Sequence, residues 1–389
     1  LNHFKRDSRF WYVAFQLGIV GFFMGGFGPA QPLLQSNQGT SGFVAGLHGT
    51  ALGLSGILAG ILNAKMVHRW GRIKTSWFGM VVFLVGVLGF ILLQPAALTI
   101  TSTLLVGFGV TVLINNSVTY LSHIHPEHST TAISQSNGFN STMYVIGTLF
   151  IGTLATLGFG WRFGLLLTIP AALATYIYAK RVHAREFVDS EPESVGPQSG
   201  SLTGKYWLAW IGFTFAISAE FSSVFWAAAL FIEKFNLSAG SATTLVLAFP
   251  LGMAVGRWFG PVIARTIDVD QRTFIFLAIQ FTGFVVFWAA DSQFVSVAGL
   301  FTTGLGASIQ FALFSARLLR FAPDKPDLAI GKSALGAGLA IAFAPFALGA
   351  LSDQIGISSA YLIIPVFILL ATISVFVRSD QRVLVNPSQ

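Results

Sequence analysis

Twelve stretches of about twenty mostly apolar residues recur along this chain. That is the length an α-helix needs to cross the hydrocarbon core of a bilayer. The first six run over roughly 10–34, 44–64, 74–94, 98–121, 132–157 and 163–180, and the second six over roughly 206–232, 240–262, 273–291, 295–316, 330–352 and 357–377. Composition agrees, because 54% of the 389 residues are hydrophobic, 10% are charged and the mean hydropathy is +0.72. A soluble chain carries about 25% charged residues, so a soluble enzyme, a disordered chain and a collagen-like chain are excluded. The 41 Gly fit a membrane bundle, in which small residues let helix backbones approach closely. With no Cys, disulfides and thiolate metal sites are unavailable. Nothing near the start reads as a cleavable signal peptide, and the first apolar run is long enough to remain as a span.

The polar interval 182–204, rich in Ser, Pro, Gly and acids, reads as a cytoplasmic linker. It divides the chain into an N-terminal half, 1–181, and a C-terminal half, 205–389, of six spans each. With both termini cytoplasmic, all of the 22 Lys and Arg fall on cytoplasmic segments except Arg162 and Lys234 outside and Arg257 within a span. Lys and Arg favour the cytoplasmic side of a membrane protein. The net charge of +7 is therefore a topology signal and a contact with anionic lipid, with no nucleic-acid partner expected.

The halves also repeat. At a shift of 196 or 197, Gly107 and Gly109 meet Gly304 and Gly306, Gly152 meets Gly349, Gly60 meets Gly256, Arg69 meets Arg265, and Trp11 meets Trp207. The fold expected is an all-α integral membrane protein, with twelve transmembrane helices in two six-helix pseudo-symmetric halves. Such duplications place a substrate site near the midplane between the halves.

Between spans two and three the chain reads Ala64-Lys65-Met66-Val67-His68-Arg69-Trp70-Gly71-Arg72-Ile73-Lys74. With Gly158-Phe-Gly160-Trp161-Arg162 after span five and Gly349 to Gly356 after span eleven, the chain resembles the major facilitator superfamily of secondary transporters. Arg69, Gly71 and Arg72 match the family's loop signature, whereas Ala64 replaces its Gly and His68 its Asp. The resemblance implies a cytoplasmic gate motif made of Lys65, His68, Arg69, Gly71, Arg72 and, in the second half, Arg265. It implies a multi-pass protein of the plasma (cell inner) membrane, acting as a monomer. Physically, Gly71 suits the tight turn, and the cations suit helix C-terminal carbonyls or lipid phosphates. His68 is either a solvated loop residue or a titratable stand-in for the Asp.

Ionisable groups inside a membrane are costly and mark function. Glu220 and Arg257 are the two within the spans read here. Glu220 lies 15 residues from Lys205 and 13 from Glu233, roughly 20 Å from either end and so at the midplane. It is read as a proton-coupling or substrate-contacting acid, or else as an acid neutralised by Arg257 or hydroxyls. Arg257 sits roughly 12 Å inside the cytoplasmic end of span eight, with 8–10 Å of depth separating it from Glu220. It is read as a clamp for an anionic substrate or as part of a gate pair. Thr111, Asn115 and Thr119 form a stripe on span four, and Asn137, Asn140 and Tyr144 another on span five. Gln16, Gln310 and the ring of Trp226 complete the expected cavity, each with a helix-packing role as the alternative. His123, His125 and His128 are too loosely spaced for a metal site.

These residues lead to a secondary transporter of a small polar or anionic organic solute, working by alternating access and coupled to H+, with no cofactor. The alternative is an H+-driven efflux pump for lipophilic cations. Against it, Gly147-Thr148 stands where the antiporters of the family carry Gly-Pro. No nucleophile–base cluster or Walker loop is present, so an embedded enzyme is not expected.

Overall fold

The computed structural model describes residues 4–377, apart from 41, 158–159, 183–197, 238 and 264–265. Arg265, Gly158 and most of the 182–204 linker therefore lie outside the described residues. Among the described residues there is no strand. In chain order the first half contains α1 (Ser8–Gln38), α2 (Gly42–Trp70), α3 (Arg72–Leu92), α4 (Ala96–Ile124), α5 (Ser129–Thr156), α6 (Trp161–Leu166) and α7 (Thr168–Val182). The second contains α8 (Gly204–Phe235), α9 (Ala239–Val246), α10 (Ala248–Ile263), α11 (Val269–Ala289), α12 (Gln293–Ala307), α13 (Gln310–Phe321), α14 (Pro326–Ile355), α15 (Ile357–Ala360) and α16 (Ile363–Val375).

Eleven helical stretches of the described residues are long and apolar enough to cross a membrane. The twelfth expected span is α5. It is long enough at 28 residues, but its Ser, Thr, Gln and Asn lower its hydropathy. Spans six, eight, ten and twelve are each broken, as α6/α7, α9/α10, α12/α13 and α15/α16. Three of the breaks have one cause. Leu167, Leu247 and Leu362 each stand three residues before a proline (Pro170, Pro250 and Pro365). A proline ring clashes with the carbonyl four residues back and offers no N–H. Each leucine N–H instead bonds three residues back, to Gly164, Thr244 and Ser359 respectively. The helices α1 and α14, by contrast, continue through Pro29, Pro32 and Pro345.

Pairwise contacts repeat between the halves as the duplication requires. In the first half α1 packs on α5 and α3 on α4, and in the second α8 packs on α14 and α11 on α12. The glycine register repeats with them. A Cβ on Gly107 would lie 2.7 Å from the Leu52 carbonyl oxygen, and one on Gly304 2.1 Å from that of Phe249. Gly86 similarly abuts the Val106 nitrogen and Gly283 that of Thr303, while Gly109 abuts Phe83 N and Gly306 abuts Gln280 N. Residue and partner both shift by the same 197 positions in every case, which chance matching of glycines does not produce. Gly160 and Gly356, 196 apart, open α6 and α15 with φ of 75° and 79°, a region where a side chain is strained.

The halves meet along two seams, α2 against α14 and α5 against α10. Gly60 faces the Gly331 carbonyl and Gly338 that of Gly53, so the first seam brings backbone to backbone. Within the second half Arg317, 1% exposed, was not singled out by the sequence reading. Its Nε lies 2.9 Å from Asp270 Oδ1, and it donates to the carbonyls of Ser374, Val375 and Val377 at the end of α16. A buried cation there satisfies carbonyls that have no partner within their own helix.

Gly304→Ala is expected to lower stability by about 1–3 kcal/mol, because its methyl would overlap backbone. Gly152→Ala, with nothing within 4 Å of the added Cβ, is expected to leave stability unchanged or raise it by up to about 1 kcal/mol. Thermal unfolding of the two variants in the same detergent checks this pair.

Candidate functional site

The break in span ten positions Arg257, one of the two charged residues that the sequence reading singled out deep within the spans. Where α12 stops and α13 begins, the Ser308 carbonyl leaves the helical ladder and accepts Arg257 Nε at 2.9 Å. The Arg257 Nη1 donates to Ser141 Oγ of α5, across the seam, and Nη2 lies 3.7 Å from Glu220 Oε1 on α8. Their side chains are 12% and 13% exposed. The depth difference expected from sequence is thus bridged, since the long arginine stem carries its head up to the acid. This cluster joins three helices of the second half to one of the first. Ser134 adds a bond to the Arg257 carbonyl at 3.0 Å.

A second charged contact crosses the other seam. Arg72, the first residue of α3, places Nη2 3.0 Å from Asp327 Oδ1 near the start of α14. The pair is 8% and 12% exposed. Behind it, Arg72 Nη1 reaches Asn116 Oδ1 at 3.4 Å, and Asn116 Nδ2 donates to Asn63 Oδ1 at 3.0 Å. Gly71 makes this possible. With φ at 79° it turns the chain between α2 and α3, its N–H bonded to the Val67 carbonyl. Of the remaining loop residues, Lys65 and Arg69 are exposed and His68 is half-buried. Sequence reading missed Asp327, Asn63, Asn116 and Ser141. An acid at the first turn of a span, opposite a basic loop, was the available signal for Asp327.

The expected polar cavity is only partly assembled. Asn137, Asn140, Tyr144 and Trp226 are half-buried. Asn140 nevertheless ties α5 to α1 through the Leu17 carbonyl at 2.6 Å, and Asn137 bonds back to Ile133. Three of the expected lining residues are buried. Gln310 is buried inside the second half, donating to Gln280 Oε1 at 2.8 Å. Asn115 and Thr119 are buried on α4, with the Thr119 hydroxyl bonded to the Asn115 carbonyl. A span's polar stripe can serve helix packing as readily as a solute. Thr111 lies against Gly56 of α2. Gln16 is buried beside Arg72, Asn116, Tyr12 and Tyr120, at the base of the first half. His48 bonds Thr99 Oγ1 at 2.9 Å, as expected of a satisfied buried polar group.

In a double-mutant cycle on the seam pair, Arg72→Met or Asp327→Leu alone is expected to cost about 3–5 kcal/mol, since each leaves an uncompensated buried charge. The double variant is expected to lose less than the sum. Additive melting shifts would show that the two side chains do not act as a pair.

Comparison with known proteins agrees with this architecture. The family model for the Major Facilitator Superfamily matches residues 13–324. The Bacillus subtilis (strain 168) protein YwtG, whose name places it in metabolite transport, is 25% identical over 173 residues. That match covers 43% of this chain and 38% of YwtG, so it spans well under half of the relative's length. The E. coli fucose:proton symporter FucP superposes with a TM-score of 0.74 at 15% identity, covering 96% of this chain and all of that one. The human organic anion transporter MFSD10 gives 0.70 at 15% identity, covering 95% and 99%. At these identities the likeness speaks for the fold. The match over most of the chain identifies the family. The chain belongs to the Major Facilitator Superfamily.

Proposed function

We propose that the protein is a secondary active transporter that moves a small polar or anionic organic solute by alternating access, coupled to H+. The single observation that carries this reading is the Glu220–Arg257 pair, buried deep in the bundle and bonded through Ser141 to the other half. An acid within reach of a cation holds it while ionised and releases it when protonated. Proton uptake at Glu220 would therefore change what Arg257 holds, in the seam that must open for a solute to pass. An arginine so released presents the paired donors that a carboxylate accepts.

The two bodies that move are residues 1–181 and 205–389, linked through 182–204. The bias of Lys and Arg supports cytoplasmic termini, and the family likeness supports the cell inner membrane, where that charge would meet anionic lipid headgroups. The end closed by Arg72–Asp327 is then the cytoplasmic one, and the described state is closed to the cell interior. The cavity is read as lined by Asn137, Asn140, Tyr144 and Trp226, within one monomer and with no cofactor. An exporter of lipophilic cations would present an uncompensated acid to its cargo. Arg257 compensates Glu220 here, which favours the first reading.

A solute found by thermal shift, loaded into proteoliposomes under a pH gradient, tests the assignment. Glu220→Gln is expected to abolish uphill accumulation while solute exchange continues. Uphill transport that persists in this variant would remove Glu220 from the coupling step.

A further inference from the structure

The segment ahead of α1 touches both halves. The ring of Phe4 stands edge-on to Phe10 and His125, at 5.5 and 5.1 Å. Asp7 accepts the Phe10 N–H at 2.9 Å, and the same Oδ1 lies 3.5 Å from His125 Nε2. These contacts seat residues 4–7 on the first half, beside the connection from α4 to α5. Between them Arg6 reaches over the seam. Its Nε donates to Gln135 Oε1 of α5 at 2.9 Å, and its guanidinium carbon is 5.3 Å from the centre of the Trp258 ring on α10.

Trp258 is held by the first half from several sides. Its indole N–H donates to Thr142 Oγ1 at 3.1 Å, and its carbonyl accepts from Gln135 Nε2 at 3.4 Å. Its ring lies so close to Gly138 that a Cβ there would stand 3.3 Å away. It is also the residue next to Arg257. A cation over an indole is attracted by the ring's negative face.

We propose that Arg6 and Trp258 form a clamp on the α5–α10 seam, and that Arg6 is a positioning residue of the transport cycle. The Arg72–Asp327 pair closes the α2–α14 seam, and the clamp closes the other at the same end of the bundle. Opening that end separates the indole from Arg6, Thr142 and Gly138 together, whereas the Arg6–Gln135 bond travels with the first half. The contact is therefore made in one state of the cycle and lost in the other. This inference rests on the alternating-access reading, and adds a residue ahead of the first span that the loop signature does not contain.

The chain has no native cysteine, so spin labels can be attached at Glu127→Cys and Asp324→Cys, two exposed positions on opposite halves at the clamped end. Distances between them are read by pulsed electron resonance, with and without the transported solute. Arg6→Ala is expected to raise the ratio of open to closed distances about two- to fivefold, the size of an exposed cation–π contact. Arg6→Lys, which keeps the cation, is expected to recover most of the closed population. Lys5→Ala, also exposed, is the control for lost charge alone. An unchanged distribution in Arg6→Ala, or an equal shift in Lys5→Ala, overturns the clamp. A single closed distance in every variant and condition counts against alternating access itself.

Discussion

No water in the middle of a bilayer can satisfy a backbone N–H or C=O, so each crossing segment must satisfy its own. Helices follow from this, and a second consequence shapes the rest of the molecule. Lipid tails solvate leucine as well as another helix does, so burying apolar area cannot by itself hold two helices together. Close packing must do it. Gly107 against the Leu52 carbonyl and Gly304 against that of Phe249 show how this chain meets the demand. The same device holds helices within a half and, through Gly53, Gly60, Gly331 and Gly338, holds one half on the other.

Two of the buried charged contacts lie on the seams between the halves. Arg72–Asp327 crosses the α2–α14 seam, and the Arg257 cluster crosses the α5–α10 seam. Arg317 does the opposite, since it fastens α13 to α11 and α16 within one half. A contact inside a half gives a rigid body, and one across a seam stabilises a state. A polar contact also costs less to exchange than a jigsaw of side chains, because either partner can turn to water or to a solute once exposed. Close-packed glycines thus occur both inside the halves and along the α2–α14 seam, whereas the seams add directional charged bonds.

Helix breaks serve this arrangement. Proline explains three of them, at Leu167, Leu247 and Leu362. The break at Ser308 has no proline, and there the freed carbonyl takes Arg257 Nε. An irregular backbone at membrane depth persists only where something re-satisfies it. Here a guanidinium does so while also facing Glu220.

By itself the sequence determined the spans and the twofold repeat. Both follow from local quantities, namely apolar length and residue type. It also determined that Gly71 must turn between α2 and α3. The tertiary structure alone decided which polar side chains face one another. Asn115, Thr119 and Gln310, read as a cavity lining or as helix packing, lie buried within the halves in this structure, and a stripe on one helix does not say which neighbour covers it. Arg257 met Glu220 in spite of their separation along the helix axes, because its long stem carries the guanidinium across to α8. Asp327 met Arg72 across 255 residues of chain. Such pairings depend on how two halves dock, a relation that no local pattern along one chain records.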